Sequence, residues 1–87
     1  MKLIYAILHE NDSGDAIEAL TNNGFTVTRL SSKGGFLRSG NVTLLIGVEP
    51  DQVAHVTSLV KQHTTPQAPN QHAATLFVLD MPIYVKL

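Results

Sequence analysis

Apolar and polar positions alternate along this chain in stretches of two different periods. Residues 2–8, from Lys2 through Leu8, are mostly apolar and rich in Leu and Ile, and a polar cluster from His9 to Asp12 ends them. A short apolar run bounded this way reads as a buried strand. Ala16, Ile17 and Leu20 then fall at helical spacing and form one stripe, with Asp12 or Ser13 as the cap and Asp15 and Glu18 near the positive end. Asn22-Asn23-Gly24 ends that helix, since glycine supplies the left-handed residue a helix end commonly uses. Phe25 to Leu30 alternates with the period of a half-buried strand, and Asn41 to Val48 reads as a more fully buried one. Glu49-Pro50-Asp51-Gln52 opens a second helix with the apolar stripe Val53, Val56, Leu59 and Val60. A loop with two prolines, His63 to His72, leads to a last core strand from Ala73 to Leu79, and Ile83 to Leu87 adds a short edge after Pro82. The order β-α-β-β-α-β, with two crossover helices, is that of a ferredoxin-like α+β sandwich.

At 87 residues the sequence makes a single domain, residues 1–87. Small domains bury a modest share of their surface and often gain stability by oligomerising. Six Lys+Arg against seven Asp+Glu, a formal net charge of −1, gives no footprint for a nucleic-acid polymer or a membrane surface. The apolar run at the start is too short for a membrane span and has no cleavage pattern after it, so the reading is a soluble cytoplasmic protein. With no cysteine there is no thiolate chemistry. The four histidines, His9, His55, His63 and His72, have no metal-binding spacing, and no serine sits in a nucleophile elbow. The carboxylates Glu10, Asp12, Asp15 and Glu18 belong to a helix start. The expectation is a protein that is not an enzyme and carries neither metal nor cofactor.

The segment from Arg29 to Asn41 stands apart. It holds three of the six basic residues, Arg29, Lys33 and Arg38, three of the six glycines, and a Phe36-Leu37 pair with no evident core to enter. Gly35 and its neighbours let backbone approach a ligand, and successive N–H groups make an anion nest. The basic side chains neutralise phosphates, Arg through a bidentate fork. Phe36 offers a face to a purine, and Asn41 the paired donor and acceptor that match an adenine edge. Thr26 and Thr28 project hydroxyls from one face of the preceding strand, and Arg29 points to the other. The spacing Gly35 to Gly40 matches a P-loop, but Asn41-Val42 stands where Lys-Ser/Thr is required. An ordinary long hairpin loop carrying solubilising charge is the competing reading of the composition.

The eleven residues Lys33-Gly34-Gly35-Phe36-Leu37-Arg38-Ser39-Gly40-Asn41-Val42-Thr43, followed by Gly47-Val48, resemble the cyclic-di-AMP receptor family of PII-like signalling proteins. The similarity runs ungapped from Met1 to Val48 and resumes at Ala74-Thr75-Leu76-Phe77-Val78 and at Met81-Pro82. The resemblance implies a PII-like homotrimer that holds cyclic-di-AMP or a related nucleotide in clefts between subunits and signals to a protein target. Carried over by position, Thr28 would bind phosphate, while Phe36 and Leu37 flank a base and the Leu37 backbone adds a hydrogen bond. Asn41 would read an adenine edge and Gly47 would offer its backbone; Thr26, Gly35 and Arg38 complete the expected site. The sequence departs from the family in two places. Thr26 stands where the family has a ligand-contacting Arg, and losing a charge-assisted hydrogen bond costs about 1.5–3 kcal/mol, or about one to two decades of affinity. Only the short stretch Gln62–Ala73 stands where the family has a long loop over the site. A divergent module acting through another small ligand or a protein partner is therefore the alternative.

Overall fold

A computed structural model describes residues 1–30, 40–83 and 85–87. The elements are β1 (Lys2–His9), α1 (Glu10–Asn22), β2 (Val27–Leu30), β3 (Asn41–Val48), a 3₁₀ turn (Pro50–Gln52), α2 (Val53–Gln62) and β4 (Ala74–Asp80). The four strands form one sheet in the order β2-β3-β1-β4, with every neighbouring pair antiparallel. This is the α+β, ferredoxin-like arrangement expected from the element order.

Strand parity divides the sheet into two faces. In the central pair, Ile4 lies opposite Ile46, Ala6 opposite Leu44 and Leu8 opposite Val42, and all six side chains are buried. They pack with Ala16 and Leu20 of α1 and Val56, Leu59 and Val60 of α2 in one apolar core. The alternate residues point the other way. Leu3, Tyr5, Ile7 and Leu45 are half-buried, while Leu30, Phe77 and Leu79 are exposed. Neither helix covers that second face.

The two ends of α1 show how local chemistry sets its length. The helix begins at Glu10, not at Asp12 or Ser13, because β1 runs into it without a connecting loop and His9 takes the cap. The His9 Nδ1 accepts from the Asn11 N–H at 3.2 Å, and the Glu10 N–H donates to the Gly40 carbonyl at 2.7 Å. Ser13 is buried one turn in and donates to the Glu10 carbonyl at 2.7 Å. Asp12 reaches outward, its Oδ2 accepting from the Thr65 N–H at 3.0 Å. At the other end Gly24 adopts φ +85. The Phe25 and Gly24 N–H groups then donate to the carbonyls of Leu20 and Thr21, both at 3.0 Å, which is the Schellman closure. This closure buries Phe25 and delays β2 to Val27, two residues later than the alternation implies.

The helix start expected at Glu49-Pro50-Asp51-Gln52 is a 3₁₀ turn, Pro50–Gln52, that leads directly into α2 at Val53. Gln52 Oε1 accepts from the Glu49 N–H at 2.9 Å, and Pro50 stands in the first turn. The expected edge strand at Ile83 to Leu87 does not form among the described residues: Ile83, Val85 and Leu87 are exposed and outside any ladder. Pro82 lacks the N–H that a continued ladder needs, so pairing ends at Asp80 opposite Lys2. There the Lys2 ammonium donates to the Asp80 carboxylate. That hydrogen bond, with the charge behind it, holds the Asp80 carboxyl below its usual range. A depressed carboxyl stabilises the fold above its unfolded-chain pKa and loses that contribution as pH falls through its lower folded value; at this exposed position the effect is small.

Leu44 lies at the centre of the core, so Leu44→Ala is expected to cost about 2–5 kcal/mol, read as a lower urea midpoint. A variant as stable as the parent would mean that the β1–β3 register is wrong.

Candidate functional site

The residues singled out in the sequence fall into two groups at opposite ends of β3. Asn41 opens the strand and Gly47 stands six residues on, one before its end, which separates them by about 20 Å at strand rise. Both lie on the face away from the helices, because their partners His9 and Leu3 belong to the odd set of β1. Thr28 is opposite Leu45 on this same face, diagonal to Gly47 and about 7–8 Å from it. Thr26 is exposed just before β2, and continuing the ladder sets it level with Gly47. Arg29 lies opposite the buried Leu44 and so faces the helix side, away from Thr28. The structure therefore brings Thr26, Thr28 and Gly47 together and leaves Asn41 apart. Gly35, Phe36, Leu37 and Arg38 lie outside the described residues, as does Lys33.

Around Asn41 the register assembles something the sequence does not display. Asn41 pairs with His9, and on the far side of β1 the first residues of β4, Ala74 and Thr75, pair with Leu8 and Ile7. The chain entering β4 thus runs beside Asn41 at about two strand spacings, roughly 10 Å. Between them opens a cleft of about 660 Å³ whose walls include Asn41, His9, Gln67, Gln71 and His72. Its size suits a base with its sugar better than a metal ion, since small-molecule sites start near 300 Å³. No group of three or more His, Cys, Asp or Glu side chains among the described residues could hold a metal.

The histidines separate by environment. His55 stands edge-on against Phe25, ring centroids 5.4 Å apart, so it packs at the α1 end. His9 and His72, 63 positions apart in sequence, line the same cleft. Sequence spacing alone cannot pair them, because only the antiparallel pairing of β1 with β4 brings them near each other.

His9 also fixes the backbone beside Asn41. Gly40 adopts φ +89, and a Cβ built there would lie 3.2 Å from His9 Nε2. The same imidazole accepts the cap hydrogen bond at Nδ1, so that nitrogen must be unprotonated. Glycine at 40 thus meets both a backbone and a steric requirement. Gly40→Ala is expected to destabilise the protein by about 1–2 kcal/mol, and His9→Ala by about 1 kcal/mol through the lost cap. Both are read by chemical denaturation, and an unchanged midpoint in Gly40→Ala would contradict the left-handed geometry.

The arrangement is also that of a solved protein. The chain superimposes with a TM-score of 0.80 on the crystal structure of a functionally unknown protein from Pediococcus pentosaceus ATCC 25745, at 28% sequence identity. The match covers 99% of this chain and 96% of the other. At the level of sequence families, the cyclic-di-AMP receptor family matches residues 1–87. The protein belongs to the cyclic-di-AMP receptor family.

Proposed function

We propose that the protein is a non-enzymatic PII-like signalling protein that binds a small nucleotide, cyclic-di-AMP, in clefts between the subunits of a homotrimer. Family membership across residues 1–87 carries this reading. The geometry supports placing the site between subunits. Within one subunit Asn41 lies about 20 Å from Gly47 along β3, too far for one base and its adjacent phosphate to touch both. Apposing two subunits brings the Asn41 end of one to the Thr28 and Gly47 end of the next. The helix-free face, with Leu30, Phe77 and Leu79 exposed, is the surface that such an assembly would bury, and burying it would add the stability that a chain of this size lacks.

In this reading Asn41 meets the adenine edge, Thr28 donates to phosphate and Gly47 contributes its backbone. Phe36 and Leu37 flank the base, with Gly35 and Arg38 beside them. Thr26 supplies a hydroxyl where a guanidinium would otherwise stand, which weakens the phosphate contact without removing it. The bound state is then read by a protein target. One observation favours a second reading, a divergent module with another ligand or only a protein partner. Among the described residues, the Thr26, Thr28 and Gly47 cluster has hydroxyls and backbone but no cation, since Arg29 faces the other way.

Calorimetric titration of the purified protein with cyclic-di-AMP separates the two readings. The proposal expects binding near one ligand per subunit on a trimer, reduced at least tenfold in Asn41→Ala with the trimer intact. Absence of heat on confirmed trimer favours the second reading. Unchanged affinity in Asn41→Ala would mean that the site lies elsewhere.

A further inference from the structure

The residue pair that ends α1 carries chemistry of its own. Of the five asparagines in the chain, only Asn23 is followed by glycine, Gly24. In an open chain an Asn-Gly pair is thermolabile, because no side chain on the glycine shields the approach of its backbone nitrogen to the asparagine carboxamide. The Gly24 nitrogen bonds to Asn23 Cγ, the Cγ–Nδ2 bond breaks, and the Gly24 amide proton leaves with Nδ2 as ammonia. Water then opens the five-membered imide at either carbonyl and leaves aspartate or isoaspartate at position 23. Asn23 is exposed, so water is at hand and no other reactant is needed.

In the folded chain three features oppose the first step together. Asn23 has φ −95 and ψ 12. At a ψ so near zero the Gly24 nitrogen eclipses the backbone nitrogen of Asn23, turned away from Cβ and the carboxamide it must reach. The Gly24 N–H donates to the Thr21 carbonyl at 3.0 Å, which ties up the proton that has to leave. The Asn23 Nδ2 donates to the Ala19 carbonyl at 2.7 Å, which anchors the departing amide on the helix. The lock on this arrangement is the next residue. Phe25 donates its N–H to the Leu20 carbonyl at 3.0 Å, and its buried ring meets His55 edge-on with centroids 5.4 Å apart.

We infer that Asn23-Gly24 is a site of spontaneous deamidation that the closure of α1 holds shut, so that Asn23 is converted when the end of the helix opens. Neither product returns to asparagine, and neither restores the closure. Aspartate cannot donate to the Ala19 carbonyl, and it sets a negative charge at the negative end of a helix whose last turn has no basic residue. Isoaspartate adds a methylene to the backbone between Leu20 and Phe25, which displaces the hydrogen bonds that bury the Phe25 ring. Thr26 and Thr28 follow directly, so the loosened segment is the one that carries the hydroxyl cluster beside Gly47.

The test is incubation of the full chain at mildly alkaline pH, folded in buffer and unfolded in guanidinium chloride, with each asparagine followed by peptide mass mapping. Conversion in the fold tracks the population of the opened helix end, so Asn23 is expected to convert at least about tenfold faster in denaturant than in buffer. In denaturant it should also outpace Asn11, Asn22, Asn41 and Asn70. Phe25→Ala removes the buried ring and leaves the Asn23-Gly24 pair intact. It should raise the rate in buffer about tenfold or more and leave the rate in denaturant unchanged. Asn23→Asp, which supplies one product directly, should unfold at a lower urea concentration than the parent. The inference is overturned if wild type converts as fast folded as unfolded, or if Asn23 outpaces no other asparagine in denaturant. Both comparisons use the wild-type chain alone and stand even where Phe25→Ala does not fold. A folded Phe25→Ala with the parent's rate in buffer, or an Asn23→Asp with the parent's midpoint, would likewise overturn it.

Discussion

Pairing β1 with β3 so that Ile4 meets Ile46, Ala6 meets Leu44 and Leu8 meets Val42 decides what every other part of the molecule can do. Side chains alternate with a period of two, so a slip of one residue would carry this apolar set to the other face and strand both helices. The same register sends Tyr5, Leu45, Thr28, Asn41 and Gly47 to the side that the helices leave open. Core and candidate site are thus two consequences of one alignment. A substitution that disturbs the first will disturb the second.

Elements whose cause is local were legible in the sequence. The apolar runs of β1 and β3, the stripe Val56, Leu59 and Val60, the proline at the start of the second helical segment and the glycine at the end of α1 each act within a few residues. The start of α1 was less legible, because His9 is both the last residue of β1 and the cap of the helix, and imidazole is a weak sequence signal for a cap. Phe25 looked like strand because an aromatic at that position fits the alternation. In the fold it closes the Schellman motif instead. The cleft was not legible at all, since Asn41, His9 and His72 meet only through pairing across three strands.

Of the candidate site, the separation of Thr28 from Asn41 is the most informative result. In the proposed reading, a ligand that touches both ends of one strand needs a second subunit to bring them together, so binding depends on prior assembly. Among the described residues the ends are also chemically distinct: hydroxyls and backbone on one side, amides and imidazoles on the other. Such a division suits a ligand with phosphate at its centre and bases at its margins.

The claim that each site draws on two subunits can be measured with mixed trimers. Asn41→Ala damages one end and Thr28→Glu, which sets a carboxylate against phosphate, damages the other; neither homotrimer retains a whole site. Unfolding the two variants together and refolding them as a mixture assembles trimers in which an intact Asn41 end faces an intact Thr28 end at one interface. The account predicts that the mixture regains cyclic-di-AMP binding that both parent variants lack. A mixture as silent as its parents, with exchange of subunits verified by mass, would contradict it.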